Sequence, residues 1–428
     1  MTALAGRLAS QARGPDGRIV LVISVLLGFE AMMYSTVAPI LPHYAREFGA
    51  SKPAIGVLAA SYPAGMIPGS LLGGWIATRA GVRRTTIVGL LMFTVSIIPF
   101  GFASDMATLD LLRFVQGAAC GCIWSGGLAW VIALVQRERR GEVLGSVMAA
   151  AIFGTLLGPI VGTLAVAVGT EIVFAGVGTV SLALAAWTLQ RPEPPPLERE
   201  RHTPVRALAR SPQLILSVWL IVLEAAMIGA TATLLPLRLS HLGASGVAIG
   251  VTFVLASLVA TITSPQIGRL VDRRGPRLPI ALGLLVTALL IAALPLPASA
   301  LGLAVLTVIA LGGPSTSLMI PSMSVITDTA ERLGVAIALA TVVLNLGWAV
   351  GEAVGAPTAA TLAHLTSDTV ALLLISAAML ATLGVVLSTG LIRSTPQPAS
   401  VDATLAERDT ADDEDSPSSR ERIRVVGS

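Results

Sequence analysis

The sequence predicts an all-α membrane protein of twelve transmembrane helices in two pseudo-symmetric six-helix halves, on the strength of three observations. First, only 12% of its 428 residues are charged, 54% are hydrophobic and the mean hydropathy is +0.82, whereas a soluble chain is about one quarter charged. Second, a bilayer core roughly 30 Å thick needs about 20 helical residues per crossing, and the chain contains twelve apolar runs of that order. Third, the stretch from Glu30 to Arg84 occurs twice. Displaced by 194 residues without a gap, Glu30 falls on Glu224, Pro42 on Pro236, Gly49-Ala50-Ser51 on Gly243-Ala244-Ser245, and Ile55-Gly56-Val57 on Ile249-Gly250-Val251. Gly74, Arg79, Gly81 and Arg83 likewise meet Gly268, Arg273, Gly275 and Arg277. Chance does not hold so long a register, and a parallel internal repeat in a membrane chain is a feature of transport proteins.

In order, the predicted spans of the first half are 19 to 41, 54 to 77, 86 to 103, 108 to 133, 143 to 167 and 171 to 189. Those of the second are 213 to 236, 247 to 267, 278 to 296, 300 to 323, 334 to 358 and 369 to 391. The third and ninth are the shortest. The domain reading is an N-terminal segment 1–18, a half 19–190, a linker 191–212 rich in proline and alternating charge, a half 213–392, and a tail 393–428 carrying Asp412-Asp413-Glu414-Asp415. Linker and tail have no apolar periodicity, so they are expected to be solvated, the tail as a disordered cytoplasmic segment.

Arginine gives the orientation, because short cytoplasmic loops accumulate Lys and Arg. Loops after even-numbered spans hold Arg79, Arg83 and Arg84; Arg137, Arg139 and Arg140; and Arg273, Arg274 and Arg277, while the opposite loops offer only Arg46, Lys52 and Arg238. Both termini are therefore expected to be cytoplasmic, in a multi-pass protein of the plasma (inner) membrane. The net charge of +3 reflects this topology signal and gives no ground for nucleic-acid binding. The polar start followed by a long apolar run with Glu30 inside it reads as an uncleaved segment. Cys120 and Cys122 share one span and read as small packing residues. His43, His202, His241 and His364 have no ligand spacing, so no metal and no cofactor are expected.

The loop after the second span reads Gly74-Trp75-Ile76-Ala77-Thr78-Arg79-Ala80-Gly81-Val82-Arg83-Arg84, and its counterpart reads Gly268-Arg269-Leu270-Val271-Asp272-Arg273-Arg274-Gly275-Pro276-Arg277. Glycine permits the tight turn and the arginines anchor it. Both resemble the G-x-x-x-D-R-x-G-R-[RK] loop of the major facilitator superfamily, with Thr78 in place of the aspartate in the first copy. Leu112-Arg113-Phe114-Val115-Gln116-Gly117 is similar to the family segment whose arginine is assigned to proton coupling. Gly154-x-x-x-Gly158-Pro159-x-x-Gly162-Thr163 resembles the G-x-x-x-G-P-x-x-G-G helix of its twelve-helix drug:proton antiporter branch, departing at Thr163; ordinary close packing is the competing reading. Small residues recur every fourth position at Gly65, Gly69 and Gly73, at Ala256, Ala260, Ser264 and Gly268, and at Gly347, Gly351 and Gly355. The resemblance places these stripes on helices that meet across the two halves.

A charged side chain at bilayer centre costs about 2.5–3.5 kcal/mol on insertion scales, so it normally faces a partner or a wet cavity. The candidates are Glu30, Arg113, Glu224 and Glu352. In one reading Glu30 and Arg113 form a structural pair and Glu224 is its repeat-related relic; in the other, Glu30 or Glu224 carries a proton and Arg113 sets its release. Glu352 could be a second coupling acid, a contact for a cationic substrate, or a gate pairing with Arg46 or Lys52. Tyr34, Tyr62, Trp124 and Trp348 are candidate cavity walls. The resemblance implies a secondary active transporter, not an enzyme, expected as a monomer exporting small lipophilic or cationic compounds in exchange for protons. Proton-driven import of a sugar, nucleoside or organic acid is the alternative, and a transport-inactive sensor a third.

Overall fold

The computed structural model describes residues 15–135, 140–193, 211–313, 316–332 and 337–392. The first half comprises α1 (Pro15–Ser35), the short α2 (Leu41–Glu47), α3 (Lys52–Ala80), α4 (Val82–Phe100), α5 (Met106–Leu134), α6 (Arg140–Val168) and α7 (Thr170–Leu189). The second comprises α8 (Pro212–His241), α9 (Gly246–Arg274), α10 (Arg277–Ala293), α11 (Ala300–Gly312), α12 (Thr316–Arg332), α13 (Ile337–Leu365) and α14 (Asp368–Thr389). Linker residues 194–210 and tail residues 393–428, with most of the N-terminal segment, lie outside the described residues.

Among the described residues ten of the predicted crossings are long and apolar enough to span a bilayer, and α10, at 17 residues, is a shorter apolar helix. At 1.5 Å per residue it reaches only about 25 Å. α13, at 29 residues, is long enough to supply the eleventh crossing. Two boundaries differ from expectation. The first span stops at Ser35 because Pro39 has no N–H for the carbonyl four residues back, and the chain restarts in α2 with proline in its first turn, where the missing donor is harmless. The tenth crossing, Ala300–Thr329, is described as α11 and α12, with Gly313 leaving helical geometry at the end of α11.

The repeat is visible in backbone geometry. Gly49 and Gly243 have φ of 58° and 86°, and Gly81 and Gly275 have 97° and 74°, a region open to glycine at little cost. The serine that follows each first glycine caps the next helix: Ser51 Oγ accepts from Ala54 N at 3.5 Å and Ser245 Oγ from Ala248 N at 3.2 Å. Asp105 caps α5 in the same way, and the hydroxyl and N–H of Thr108 hold its carboxyl below the usual range.

Each half has its own core. One cluster is drawn from residues 19–185 with Leu237, the other from 216–392, with Ala38 packed against it. The small-residue stripes build seams inside the halves. Gly65, Gly69 and Gly73 of α3 lie on Phe114, Ala118 and Cys122 of α5; Gly154, Gly158 and Gly162 of α6 lie on Gly28 and Ser35 of α1 and on Thr36 just beyond it. Gly347, Gly351 and Gly355 of α13 meet Val218, Val222 and Ala226 of α8, and Thr263 of α9 donates to Gly312 O at 2.9 Å. This corrects the expectation that the stripes face each other across the halves. The helices themselves do meet across the halves, α3 with α13 and α6 with α9, but the glycine faces of α3, α6 and α13 are turned toward a partner of their own half.

Between the halves, α3 packs along α13 and α6 along α9. Gly56 meets Ala356, Pro357 and Ala360, and Gly250 meets Thr163. Lys52 Nζ pairs with Asp368 Oδ1 at 2.5 Å, and Arg46 Nη1 donates to Ser240 Oγ at 2.7 Å. All four contacts lie toward the end away from the arginine-rich loops. At the arginine-rich end, Gly74 and Gly268 face open space, and Leu71, Leu72 and Trp75 are exposed.

Candidate functional site

Seven of the eight intramembrane candidates converge where the halves meet. α1 contributes Glu30 and Tyr34, four residues apart and so on one face. α3 contributes Tyr62; α5 contributes Arg113 and Trp124; α13 contributes Trp348 and Glu352, again four apart. Glu30, Arg113 and Glu352 are 2%, 3% and 7% exposed, so their charges are settled by neighbours more than by bulk water.

Glu30 is filled from its own half. Its Oε1 accepts from the Tyr62 hydroxyl and its Oε2 from Trp124 Nε1 at 2.5 Å, with the Cys120 thiol beside the same carboxylate. Arg113 does not pair with it. The guanidinium donates from Nη2 to Tyr34 O at 2.9 Å and from Nη1 to Gln116 Oε1 at 3.0 Å and Met33 O at 3.4 Å. Those two carbonyls belong to the last turn of α1, which the break before Pro39 leaves without helical donors, and an arginine there serves as a side-chain cap. Arg113 also lies 4.2 Å over the centroid of the Tyr62 ring, a cation–π arrangement. The structural ion pair considered from the sequence is thus absent among the described residues. Tyr62 stands between the two charges, its ring toward Arg113 and its hydroxyl toward Glu30.

Across the interface, Tyr34 Oη donates to Glu352 Oε1 at 2.7 Å, and the Tyr34 and Tyr62 rings lie 5.6 Å apart. Glu352 Oε2 is buried with no hydrogen-bond partner among the described residues, with the Trp348 indole beside the carboxylate. The suggested gate from Glu352 to Arg46 or Lys52 does not form; those cations go to Ser240 and Asp368.

Glu224 stands apart. It is 2% exposed on α8, its Oε2 has no partner among the described residues, and no described bond joins it to the constellation. The repeat explains why. At the same displacement, Tyr62, Arg113 and Trp124 correspond to Ala256, Thr307 and Leu318, so the second half repeats the acid without its partners. Gln116 and Cys120 were not chosen from the sequence, although they sit three and seven residues after Arg113 and therefore on its helix face.

The loop motifs serve the frame. Arg83 binds the end of α7 through Leu189 O and Arg191 O and pairs with Glu193 at 3.1 Å; Arg277 binds Leu387 O near the end of α14. Arg79 covers Trp75, and Thr78 donates to Trp75 O, while Asp272 and Arg273 are exposed. Pro159 lies inside α6, and the Thr163 hydroxyl that departs from the antiporter pattern donates to Pro159 O at 2.8 Å while touching Gly250 of α9. A separate apolar groove of about 460 Å³, lined by residues such as Leu239, Val251 and Leu301, includes none of the site residues.

Residues 23–352 match the family described as Major Facilitator Superfamily. An uncharacterized MFS-type transporter, YcaD, of Escherichia coli O139:H28 is 28% identical over 226 residues, and YcaD of Shigella flexneri matches to the same extent. That alignment spans 52% of this chain and 58% of the relative, so the chain matches little more than half the length of these curated relatives. Among solved structures, a bacterial homologue of the human lysosomal transporter Spinster, inward-facing and unoccupied, superposes with a TM-score of 0.66 at 15% identity, covering 90% of this chain and 100% of that one. A D-xylose–proton symporter gives 0.69 at 17% identity over 88% and 97% of the two chains, and the nucleoside transporter NupG 0.68 at 12% over 88% and 100%. At these identities the likeness concerns the fold. The helical architecture and the family match agree: the chain belongs to the major facilitator superfamily.

Proposed function

We propose that this transporter is a proton-coupled antiporter that moves small lipophilic or cationic compounds out across the plasma membrane by alternating access, its halves 19–190 and 213–392 rocking about the site. The observation that carries this reading is a buried glutamate, Glu30, held by two neutral donors while the nearby Arg113 is engaged elsewhere. A carboxylate locked to an arginine would have little reason to exchange its proton; one held by Tyr62 and Trp124 is free to be loaded and unloaded. The aromatic surround of Tyr34, Tyr62, Trp124 and Trp348 suits a flat apolar cation.

With the arginine-rich loops and both termini on the cytoplasmic side, the contacts of Lys52 with Asp368 and Arg46 with Ser240 close the outer side, and the open cytoplasmic end is where substrate enters. Proton binding from outside and release inside then drive the reverse movement of the cation. Proton-coupled import of a nutrient uses the same parts with opposite sign, and one assay separates the two. In acid-loaded proteoliposomes, lipophilic cations elicit proton efflux from the native protein and none from Glu30→Gln. If sugars or nucleosides, and no cations, move together with protons, the chain is a symporter; unaltered coupling in Glu30→Gln removes this acid from the mechanism.

A further inference from the structure

Building on the antiport reading, we infer that proton and cation occupy different carboxylates: Glu30 of the first half is the proton's site, and Glu352 of the second half is the cation's, with Tyr34 a tie between the halves that the cation displaces.

The two acids differ in what their oxygens touch. Both oxygens of Glu30 already accept from donors of its own half. The indole N–H of Trp124 can only donate, so it fixes Oε2 as the oxygen without a proton. The Tyr62 hydroxyl can donate or accept. A proton arriving on Oε1 therefore needs only a reversal of this one bond, Glu30 O–H then donating to Tyr62 Oη. No heavy atom has to move, which suits a proton and nothing larger.

Glu352 is the opposite case. One oxygen accepts from Tyr34 across the interface, and the other is buried with no partner among the described residues. Trp348 and the Tyr34 ring flank it, as walls against which a delocalised or ammonium cation can lie. Taking up such a cation completes the shell of Glu352 and competes with the Tyr34 hydroxyl. Because that hydroxyl bridges the halves, ligand binding and the contact between halves are coupled at one atom.

Charge links the two sites. Glu30 faces Tyr62 of α3 and Cys120 and Arg113 of α5; Glu352 faces Tyr34 of α1 and Arg113 of α5. With both carboxylates ionised and Arg113 charged, the constellation carries one net negative charge. One proton or one monovalent cation neutralises it, so the two exclude each other through the field without sharing an atom, and exchange runs one for one.

Tetraphenylphosphonium binding to the purified full-length protein at pH 8 and pH 6 tests this assignment. In the native protein acidification weakens binding about 5- to 150-fold, the range of ordinary site-to-site coupling. Glu30→Gln binds with the weak affinity of the protonated native protein and loses most of the pH dependence, the remainder being protonation of Glu352 itself. Glu352→Gln binds at least about tenfold more weakly than native at pH 8, and Glu352→Asp recovers part of the loss. Tyr34→Phe binds several-fold more tightly, a gain that a misfolded variant does not produce. Native affinity in Glu352→Gln, or undiminished pH dependence in Glu30→Gln, overturns the division of roles while leaving antiport intact. Absence of binding by the native protein at pH 8 refutes both.

Discussion

Replacing Arg113 by lysine separates the charge of this residue from its shape. The guanidinium reaches Tyr34 O at 2.9 Å, Gln116 Oε1 at 3.0 Å and Met33 O at 3.4 Å while stacking 4.2 Å over Tyr62. A lysine ammonium keeps the positive charge but is a single point on a flexible stem. It cannot span both carbonyls, meet Gln116 and remain flat on the ring. Loss of one charge-assisted bond costs about 1.5–3 kcal/mol, and a weakened ring contact adds about 0.5–1 kcal/mol. The expected destabilisation is therefore about 2–4 kcal/mol, read by reversible unfolding in mixed detergent micelles followed by tryptophan fluorescence. Cation-triggered proton release is expected to persist in Arg113→Lys, at reduced rate, and to vanish in Arg113→Gln. If Arg113→Lys unfolds within about 0.5 kcal/mol of the native protein, the scale of an ordinary surface substitution, the fork does not hold α1 to α5 and the account of its role is wrong.

Two further predictions concern the frame. Gly154→Ala forces a methyl group onto the Gly28 carbonyl in the seam of α1 and α6 and is expected to cost about 1–3 kcal/mol, whereas Gly74→Ala, facing open space, is tolerated or gains about 0.5–1 kcal/mol in helix propensity; equal behaviour of the two in the same unfolding assay counts against the seam. Lys52 and Asp368, with side chains 28% and 22% exposed, form a pair worth about 0.2–1 kcal/mol. Lys52→Asp alone should raise outer-side opening about 1.4- to 5-fold, and the swap Lys52→Asp with Asp368→Lys should restore it, measured as the alkylation rate of a cysteine placed at Ala360; no restoration means the pair is not part of the closure.

Lipid makes the fold legible. Backbone groups in hydrocarbon must bond internally, so each apolar run of sufficient length becomes a helix, and even the departure from helical geometry at Gly313 is signalled by the pair Gly312-Gly313. The stripes were legible as contacts but not as to partner, because a row of small residues records how near another backbone comes and carries no label for which helix it is. The site divides similarly. Charges in apolar runs and four scarce aromatics identified its members, since each is costly or conspicuous where it sits. Their pairing was not readable. Proximity of sign suggested Glu30 with Arg113, whereas the unpaired carbonyls at the end of α1, a consequence of Pro39, draw the guanidinium away. Glu224 was raised to equal standing by the repeat, and the same repeat, followed to Ala256, Thr307 and Leu318, demotes it.

The seams inside each half bring backbone to backbone over several turns and leave no room for an added atom, whereas the chamber where the halves meet is lined by side chains. Tolerance to sequence change is therefore distributed unevenly. A substitution in a seam endangers assembly of the protein, while one at Tyr34, Trp348 or Glu352 alters the chamber without disturbing either scaffold. A lineage carrying this architecture can revise what it recognises at little risk to folding, and its chemical repertoire is free to drift faster than its shape.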